Sequence, residues 1–276
     1  MASQTKKYQV FRELHNRPGA FVVPNPWDAG SARILTALGF EALATTSAGF
    51  AFTIGRRDSA AALPREAILL NARSIVEATN LPVSADLEDG FGADPACCAM
   101  TVSLASEIGL VGGSIEDATG NPTDPIFDFT LAVERIAAAA EEARKHPFIL
   151  TARAENFLHG RFDLDDTIRR LQAFEKTGAD VLYAPGLPSL DAIRTVCSSV
   201  NRPVNVVMGL VGQVFTVREL SEAGVKRISV GGSFARAALG GFMRAAREVR
   251  DSGTFTYAKD AMSAREAESY MPDTER

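Results

Sequence analysis

Short runs of β-branched and apolar residues alternate along the chain with longer stretches in which apolar positions recur every three or four residues. The first pattern is typical of buried strands, and the second is typical of helices with one buried face. The short runs predict eight strands, at Phe21–Val23, Ala42–Thr46, Pro82–Asp86, Gly113–Glu116, Phe148–Arg153, Val181–Tyr183, Val204–Val207 and Ile228–Val230. The longer stretches predict helices between them, including Asp28–Leu38, Arg65–Thr79, Thr130–Lys145, Leu164–Thr177 and Val217–Ala223.

Alternation of strands with helices indicates a parallel sheet, which either closes into a barrel or stays open with helices on both faces. We favour a (β/α)8 barrel, because the repeats fill the chain without a linker rich in proline or serine. Gly39, Gly178 and Gly224 lie where helices are expected to end. An open doubly wound sheet is the alternative, but no Gly-x-Gly-x-x-Gly motif follows the first strand. A length of 276 residues suits one barrel domain covering residues 1–276.

The C-terminal part of the chain continues beyond the last predicted strand and its helix. Residues 244–276 are predicted to form a helical extension, with a break at Asp251-Ser252-Gly253 and a polar amphipathic stretch that runs to Tyr270. Such an extension could cover the bottom of the barrel or pack on a neighbouring subunit, and the pattern leaves both arrangements open.

The composition is that of an ordinary globular protein, with 46% hydrophobic and 23% charged residues. A net charge of −5 without a patch of lysine and arginine argues against a nucleic-acid-binding protein. The cysteines, Cys97, Cys98 and Cys197, are too few and too poorly spaced for a disulfide framework or a zinc site. The polar N-terminus lacks the apolar core of a signal peptide, and no run is long enough to span a membrane, so a cytoplasmic protein is expected.

Acidic residues follow two neighbouring strands, at the end of a barrel where catalytic groups usually lie. Period-two alternation places Asp86 and Glu88 on one face of strand three, and the same parity turns Glu116 inward on strand four. Because adjacent strands lie about 4.8 Å apart, these three carboxylates can converge. Crowded carboxylates repel unless protonated or bound to a cation, and all-oxygen ligands suit Mg2+ or Mn2+. The alternative is capping of the following helices, which we prefer for Asp89 and Asp117.

Arg153 ends the fifth predicted strand and points inward by the same parity. A guanidinium at this position can bind a carboxylate or phosphate through parallel hydrogen bonds, and a buried ion pair with Glu155 or Glu116 is the alternative. No lysine lies at the end of a predicted strand, which argues against a Schiff-base aldolase. His159, in the loop after strand five, is interpreted as an exposed loop residue rather than as a general acid or base.

Several motifs together are similar to those of one enzyme superfamily. They are Asn25-Pro26-Trp27-Asp28, Thr45-Thr46-Ser47-Ala48-Gly49, Arg57-Asp58, Asp86-Leu87-Glu88-Asp89-Gly90-Phe91-Gly92, Ile115-Glu116-Asp117 and Ala152-Arg153. This combination resembles the isocitrate lyase/phosphoenolpyruvate mutase superfamily over nearly the whole chain. The resemblance implies a barrel enzyme that binds pyruvate- or oxaloacetate-like acids on Mg2+. It also implies a homo-oligomer, commonly a tetramer in which a C-terminal helix packs on a neighbour's barrel.

The resemblance also implies roles for individual residues. Asp86 matches the direct Mg2+ ligand, while Glu88 and Glu116 match residues that hold water ligands of the metal. Asp58 matches a position near the metal and is a catalytic candidate. Arg153 matches the substrate-binding arginine and is the second catalytic candidate. Substrate-binding positions are further expected at Trp27, Thr46, Ser47, Asp86 and Asn205.

One departure from the superfamily pattern is large. Isocitrate and methylisocitrate lyases carry a Lys-Lys-Cys-Gly-His loop after strand four, whereas Ala118–Pro125 of this chain contains no lysine, cysteine or histidine. The remaining groups suffice for chemistry through the enolate of a 2-oxo acid that Mg2+ stabilises. We therefore expect a Mg2+-dependent C–C lyase or decarboxylase that acts on a small, oxaloacetate-like 2-oxo acid.

Two other functions stay open. A P–C bond phosphonomutase is supported only by Gly231-Gly232 and Asn121, and the lysine that the mutase loop supplies is missing. A protein that binds 2-oxo acids without catalysis also fits the pattern. Retro-aldol cleavage would need a base that the sequence does not identify, and Tyr183 is interpreted as a core residue rather than an acid. The expected partners are a small 2-oxo acid and further copies of the chain, with no nucleic acid and no membrane.

Overall fold

The computed structural model of the protein describes residues 2–58, 63–210 and 212–271. Its strands are β1 (Phe21–Val23), β2 (Leu43–Ala44), β3 (Val83–Asp86), β4 (Gly112–Glu116), β5 (Ile149–Arg153), β6 (Val181–Tyr183), β7 (Val204–Val207) and β8 (Arg227–Ser229). They form one parallel sheet in the order β1-β8-β7-β6-β5-β4-β3-β2. The Ala44 N–H donates to the Pro24 carbonyl at 3.0 Å, so the ends of the sheet meet in a nearly closed barrel. The predicted barrel is confirmed, and the open sheet is excluded.

A helix follows each strand, as the apolar spacing predicts, and one further helix precedes β1. They are α1 (Gln4–Asn16), α2 (Ala29–Ala37), α3 (Ser47–Thr53), α4 (Arg65–Glu77), α5 (Pro95–Glu107), α6 (Phe129–Ala143), α7 (Leu164–Thr177), α8 (Leu190–Ser199), α9 (Val217–Glu222), α10 (Ser233–Ser252) and α11 (Ala264–Ser269). The second strand is shorter than predicted because the chain turns at once into α3. Thr46 caps that helix, and its side-chain oxygen accepts the Gly49 N–H at 3.2 Å.

Glycine ends α7 as predicted. Gly178 has a φ of 109°, a left-handed conformation that glycine adopts without steric cost, and its N–H donates to the carbonyls of Glu175 and Phe174. Gly39 and Gly224 follow the ends of α2 and α9 in the same conformation. These three residues turn the chain from the outer ring of helices back into the barrel.

The first helix, α1, closes the bottom of the barrel, and the sequence pattern did not predict it. Phe11 and Leu14 are buried against residues inside the barrel, including Phe21, Ile149 and Val181. Ser3 caps the helix. The pattern is hard to recognise because the helix carries few apolar residues in an otherwise polar segment. The closed bottom leaves the opposite end of the barrel as the accessible one.

His15 on α1 provides a pH test of this closed bottom. Burial, and then the positive charge of Arg227, lower the pKa of His15 to about 3. Its Nδ1 lies 2.7 Å from the Phe11 carbonyl, and its ring packs edge-on against Phe11 and Phe21. A histidine that is neutral when folded binds a proton when unfolded, so its contribution to stability is complete above pH 6.5 and is lost as the pH falls from 6.5 towards 3.

Because of His15 alone, we expect the free energy of unfolding to fall by about 2 kcal/mol as the pH is lowered from 7.5 to 5. Urea unfolding at several pH values should show that His15→Gln loses this part of the pH dependence. His159→Gln, which changes an exposed histidine, should keep the wild-type dependence. An identical pH dependence in wild type and His15→Gln would contradict the assignment.

The C-terminal part forms a longer helix than the prediction allows for. The expected boundary at residue 244 falls inside α10, which runs unbroken from the end of β8 and ends at Gly253. A short 3-10 helix (Thr256–Lys259) and α11 follow. Of α10, only Ala235 is buried, and Phe234, Leu239, Phe242, Met243 and Val249 are exposed. In the part of the chain that the structure describes, no helix is both long and apolar enough to cross a membrane.

Candidate active site

A cleft of about 500 Å3 lies where the strands reach their carboxyl ends. Segments that directly follow β2 to β8 line it, as expected for a (β/α)8 barrel. Seven of the residues predicted for the site line this cleft, namely Thr46, Ser47, Asp58, Asp86, Glu88, Glu116 and Arg153.

Asp86 is the last residue of β3 and is held from two sides. Its Oδ1 accepts a hydrogen bond from Arg153 Nη1 at 3.0 Å, and its Oδ2 accepts one from the Ser47 hydroxyl at 2.8 Å. The Asp86 N–H donates to the Thr45 hydroxyl at 3.0 Å. The position of Ser47, predicted to bind substrate, therefore also fixes the orientation of the Asp86 carboxylate.

The loop after β3 brings Glu88 next to Glu116 through an uncommon backbone conformation. Glu88 has a φ of 48° and Phe91 a φ of 63°, both in the left-handed region that residues other than glycine rarely adopt. The Glu88 carbonyl accepts the Glu116 N–H at 2.9 Å. Buried Arg135 donates to the carbonyls of Asp89 and Gly92 and so holds the same loop. The loop is thus fixed at both ends.

Arg153 lies at the centre of the carboxylate cluster. Its Nη1 is 3.0 Å from Asp86, its Nη2 is 3.0 Å from Glu116, and its Nε is 2.9 Å from Glu155. Burial lowers the pKa of Arg153, but the three carboxylates outweigh it and the pKa lies well above its ordinary value. The predicted inward position and the predicted ion pairs with Glu116 and Glu155 are both present. A guanidinium has five N–H donors, so hydrogen atoms remain for a further anion.

The electrostatics of the cleft show an excess of negative charge. Burial raises the pKa of Glu116 well above its ordinary value; Arg153 opposes this shift, and Glu155, Asp86 and Glu88 add to it. Burial also raises the pKa of Asp58, as does the charge of Asp86. The carboxylates of the cleft therefore outnumber the Arg153 guanidinium, which contacts three of them, and this is costly unless another cation or a proton is present.

The donor set fits a hydrated divalent cation. Carboxylate oxygens are the ligands that Mg2+ and Mn2+ prefer, and the excess of negative charge would be offset by such an ion. Within the described ranges, no group of three or more Asp, Glu, His or Cys side chains is arranged to enclose a metal directly. Arg153 contacts both Asp86 and Glu116, at 3.0 Å each. This arrangement fits one direct carboxylate ligand with others acting through water, which Mg2+ tolerates because it usually keeps several waters.

Two predicted substrate-binding residues lie elsewhere. Trp27 lines a separate apolar groove with Phe52, Leu239 and Phe242. The chain leaves β1 here to begin α2, and the Trp27 N–H donates to the Ser31 hydroxyl at 3.1 Å. The predicted role of Trp27 in substrate binding stays a prediction. Asn205 is buried inside the barrel below the cleft, where its side chain binds Arg227 and Ser229.

Asp89 and Asp117 do not cap helices, contrary to the prediction. Asp89 accepts the Phe91 N–H at 2.8 Å within the loop after β3, and α5 is capped by Asp94 instead. Asp117 is buried and accepts the Glu155 N–H at 2.8 Å and Arg170 Nη1 at 3.0 Å. Because Arg170 lies on α7, a long-range ion pair rather than local capping determines the position of Asp117. It fixes Glu155 beside Arg153.

The loop Ala118–Pro125 forms a compact turn that contributes only Ala118 to the cleft lining. Asn121 Oδ1 accepts the N–H of Thr123 at 3.0 Å and its hydroxyl at 2.8 Å. The Thr119 N–H donates to the Pro125 carbonyl at 2.9 Å, which closes the turn. Asn121 therefore stabilises its own loop.

Glu155 and Arg236 belong to the cleft, and the prediction did not include them as site residues. Glu155 follows Arg153 by two positions, so the same strand parity that identified Arg153 could have identified it. Arg236 lies on the first turn of α10, where strand parity gives no information. Tyr183 also lines the cleft, and its ring lies 5.0 Å from the guanidinium carbon of Arg153.

Comparisons with known proteins agree with this geometry. The family described as phosphoenolpyruvate phosphomutase matches residues 11–250. A crystal structure of a protein described as a lyase/mutase from Burkholderia cenocepacia is 55% identical, with a TM-score of 0.95 and 98% of each chain covered. An uncharacterised protein of Mycobacterium tuberculosis is 32% identical over 87% of this chain and 89% of the relative. A probable 2-methylisocitrate lyase of Corynebacterium glutamicum is 26% identical over 95% and 86%, respectively.

The crystal structure of oxaloacetate acetylhydrolase is 25% identical and has a TM-score of 0.85, with 98% of this chain and 94% of that chain covered. The relatives thus include both carbon–carbon lyases and mutases. The family match covers most of the chain, and residues of the predicted motifs at the ends of β2 to β5 lie together in one cleft. The chain belongs to the phosphoenolpyruvate phosphomutase family, within the isocitrate lyase/phosphoenolpyruvate mutase superfamily of enzymes.

Proposed function

We propose that the protein is a Mg2+-dependent lyase or decarboxylase that cleaves a C–C bond in a small, oxaloacetate-like 2-oxo acid. The observation that carries this proposal is the Arg153-centred carboxylate cluster beside a loop without lysine, cysteine or histidine. The cluster supplies charge for binding and orienting a 2-oxo acid. The loop supplies no group that would protonate a carbanion during isocitrate cleavage.

The residues of the cleft have distinct roles in this proposal. Asp86 would hold Mg2+ directly, and Glu88 and Glu116 would hold it through water. Bound Mg2+ would act as a Lewis acid towards the oxygens of the substrate. Arg153 would bind the substrate carboxylate with its remaining N–H groups, and the backbone at Thr46 and Ser47 would orient it. Cleavage of the C3–C4 bond would release the C4 carboxylate as CO2 and move its electron pair towards the C2 carbonyl oxygen, and C3 of the resulting pyruvate enolate would then take a proton from solvent water.

The decisive assay follows oxaloacetate by mass spectrometry in the presence of Mg2+. Because Mg2+ promotes some decarboxylation without enzyme, Asp86→Asn protein at the same concentration serves as the matched control. Pyruvate and CO2 above this control indicate a decarboxylase, whereas oxalate and acetate indicate hydrolytic cleavage of the C–C bond. Binding of oxaloacetate without any product would support a non-catalytic binder and contradict the proposal.

A phosphonomutase is the second candidate. Its support is the position of Arg236 and of Gly231 and Gly232 on the cleft, at the N-terminus of α10, where a phosphoryl group would be favourably placed. Conversion of phosphonopyruvate to phosphoenolpyruvate, followed by phosphorus NMR, tests it. Turnover of phosphonopyruvate but not of oxaloacetate would replace the first proposal with this one.

The loop after β4 is expected to shape the cleft without supplying a proton donor. Asn121→Ala should lower kcat/KM by about tenfold at most, because Asn121 bonds only within its own turn and such a hydrogen bond is worth no more than roughly 1.5 kcal/mol. Isocitrate should be cleaved poorly by the wild-type protein. Steady-state kinetics of Asn121→Ala beside Asp86→Asn measure the difference. Equal losses in the two variants, or efficient isocitrate cleavage, would show that the loop takes part in the chemistry.

We also propose a homo-oligomer formed through α10. The exposed apolar residues of this helix continue into the groove lined by Trp27, Phe52 and Leu239, and large exposed apolar surfaces usually mark interfaces. Phe242 is 66% exposed at this surface. Phe242→Glu should yield smaller species in light scattering coupled to size exclusion. Leu70→Glu, an exposed leucine on α4, is the matched control. A monomeric wild-type protein would contradict the proposal.

A further inference from the structure

A small cavity of about 70 Å3 lies inside the barrel, beneath the carboxylate cluster. Its lining includes hydroxyl and amide groups from several strands. It shares Thr46, Asp86, Arg153, Tyr183 and Gly231 with the cleft above, so the two spaces adjoin. The polar groups at its deeper end are Asn25, Ser84, Ser114, Asn205, Arg227 and Ser229.

Arg227 is the cation of this cavity. It is 5% exposed, and its Nε donates to Asn205 Oδ1 at 2.8 Å and its Nη2 to the Thr151 hydroxyl at 2.8 Å. Its Nη1 is buried and has no hydrogen-bond partner among the described residues. No carboxylate lies within ion-pair distance of it in the described part of the chain, in contrast to Arg153 and Arg170.

The positive charge of Arg227 is therefore buried without a counter-charge. Burial lowers the pKa of Arg227 to about 10, so the side chain still carries its charge at neutral pH. His15, the neighbouring titratable group on α1, is neutral there and adds no negative charge. Asp86 lines the cavity, but Arg153 and Ser47 bind its two oxygens. An isolated buried cation is costly, and a matching anion would offset that cost.

We propose that this cavity binds one small monovalent anion, with Arg227 as the cation and the surrounding hydroxyl and amide groups as hydrogen-bond donors. A cavity of this size has room for several waters, one chloride ion or one carboxylate group. The same chemistry could come from a free anion or from a terminal carboxylate of the substrate. Only the second source rests on the proposed function.

The test measures the Tm of wild-type protein in gluconate buffer, since gluconate is too large to enter, with chloride or formate added at constant ionic strength. A saturable rise of about 2–4 °C is expected with either anion. Asn205→Asp places a carboxylate at the Arg227 Nε. This variant should therefore have a higher Tm than wild type in the absence of chloride and formate, and its Tm should not rise when either anion is added. Asn201→Asp, at an exposed position before β7, is the control and should respond like wild type.

The Tm measurement needs no enzymatic activity, so the anion-site proposal can fail independently of the proposed function. No response of wild type to either anion, or an unchanged response of Asn205→Asp, would overturn the proposal and leave only water in the cavity. If the anion site exists, kinetics with oxaloacetate identify its occupant. Formate that raises KM without changing kcat assigns the site to a substrate carboxylate, whereas formate that leaves KM unchanged assigns it to a free anion.

Discussion

Asp86→Asn is expected to lower kcat by at least about 10³-fold, the largest effect of any single substitution proposed for this protein. The amide keeps the shape of the side chain and can still meet Ser47, but it removes the charge that would bind Mg2+. It also removes the charge that faces Arg153 at 3.0 Å. Oxaloacetate turnover and Mg2+ binding by calorimetry measure the two consequences separately. Asp165→Asn, an exposed aspartate on α7, is the matched control.

Metal removal should reproduce this loss without a mutation. Treatment with EDTA is expected to abolish activity, and Mg2+ or Mn2+ should restore it. Full activity of metal-free protein, or an active Asp86→Asn variant, would rule out the metal-dependent mechanism. Loss of Mg2+ binding without loss of turnover would likewise show that catalysis does not use the ion.

Arg153→Lys is expected to lower kcat/KM about 100-fold, equivalent to roughly 2.7 kcal/mol of transition-state stabilisation. Lysine keeps the positive charge but not the planar set of donors that contacts Asp86, Glu116 and Glu155 at once. KM should also rise, because lysine lacks the additional N–H groups with which Arg153 would bind a substrate carboxylate. Arg169→Lys, an exposed arginine on α7, provides the comparison. Unchanged kinetics would make Arg153 purely structural.

Strand parity predicted much of the cleft. Asp86, Glu116 and Arg153 lie on neighbouring parallel strands, whose carboxyl ends meet at one edge, so alternation alone places their side chains together. The same rule would have added Glu155. It works because a parallel barrel fixes both the direction and the register of every strand.

Other features depend on contacts between distant segments, which a local pattern does not contain. Asp117 is bound by Arg170, 53 residues further along the chain. Glu88 adopts a positive φ because the loop after β3 is held by Arg135 and by the Glu116 N–H. Trp27 leaves the cleft because α2 begins at the next residues. None of these follows from hydrophobic spacing or residue propensity.

The pairing of β1 with β8 has a consequence for how the chain is made. Phe21 lies opposite Arg227, so the first strand finds one of its neighbours only after more than 200 further residues have been added. Contacts of such sequence separation form slowly, and domains fold as synthesis proceeds from the N-terminus. We therefore expect α1 and β1 to wait at the ribosome, with the apolar face of α1 uncovered, until the rest of the sheet exists. Chaperones that act on nascent chains could bind this segment while it is uncovered.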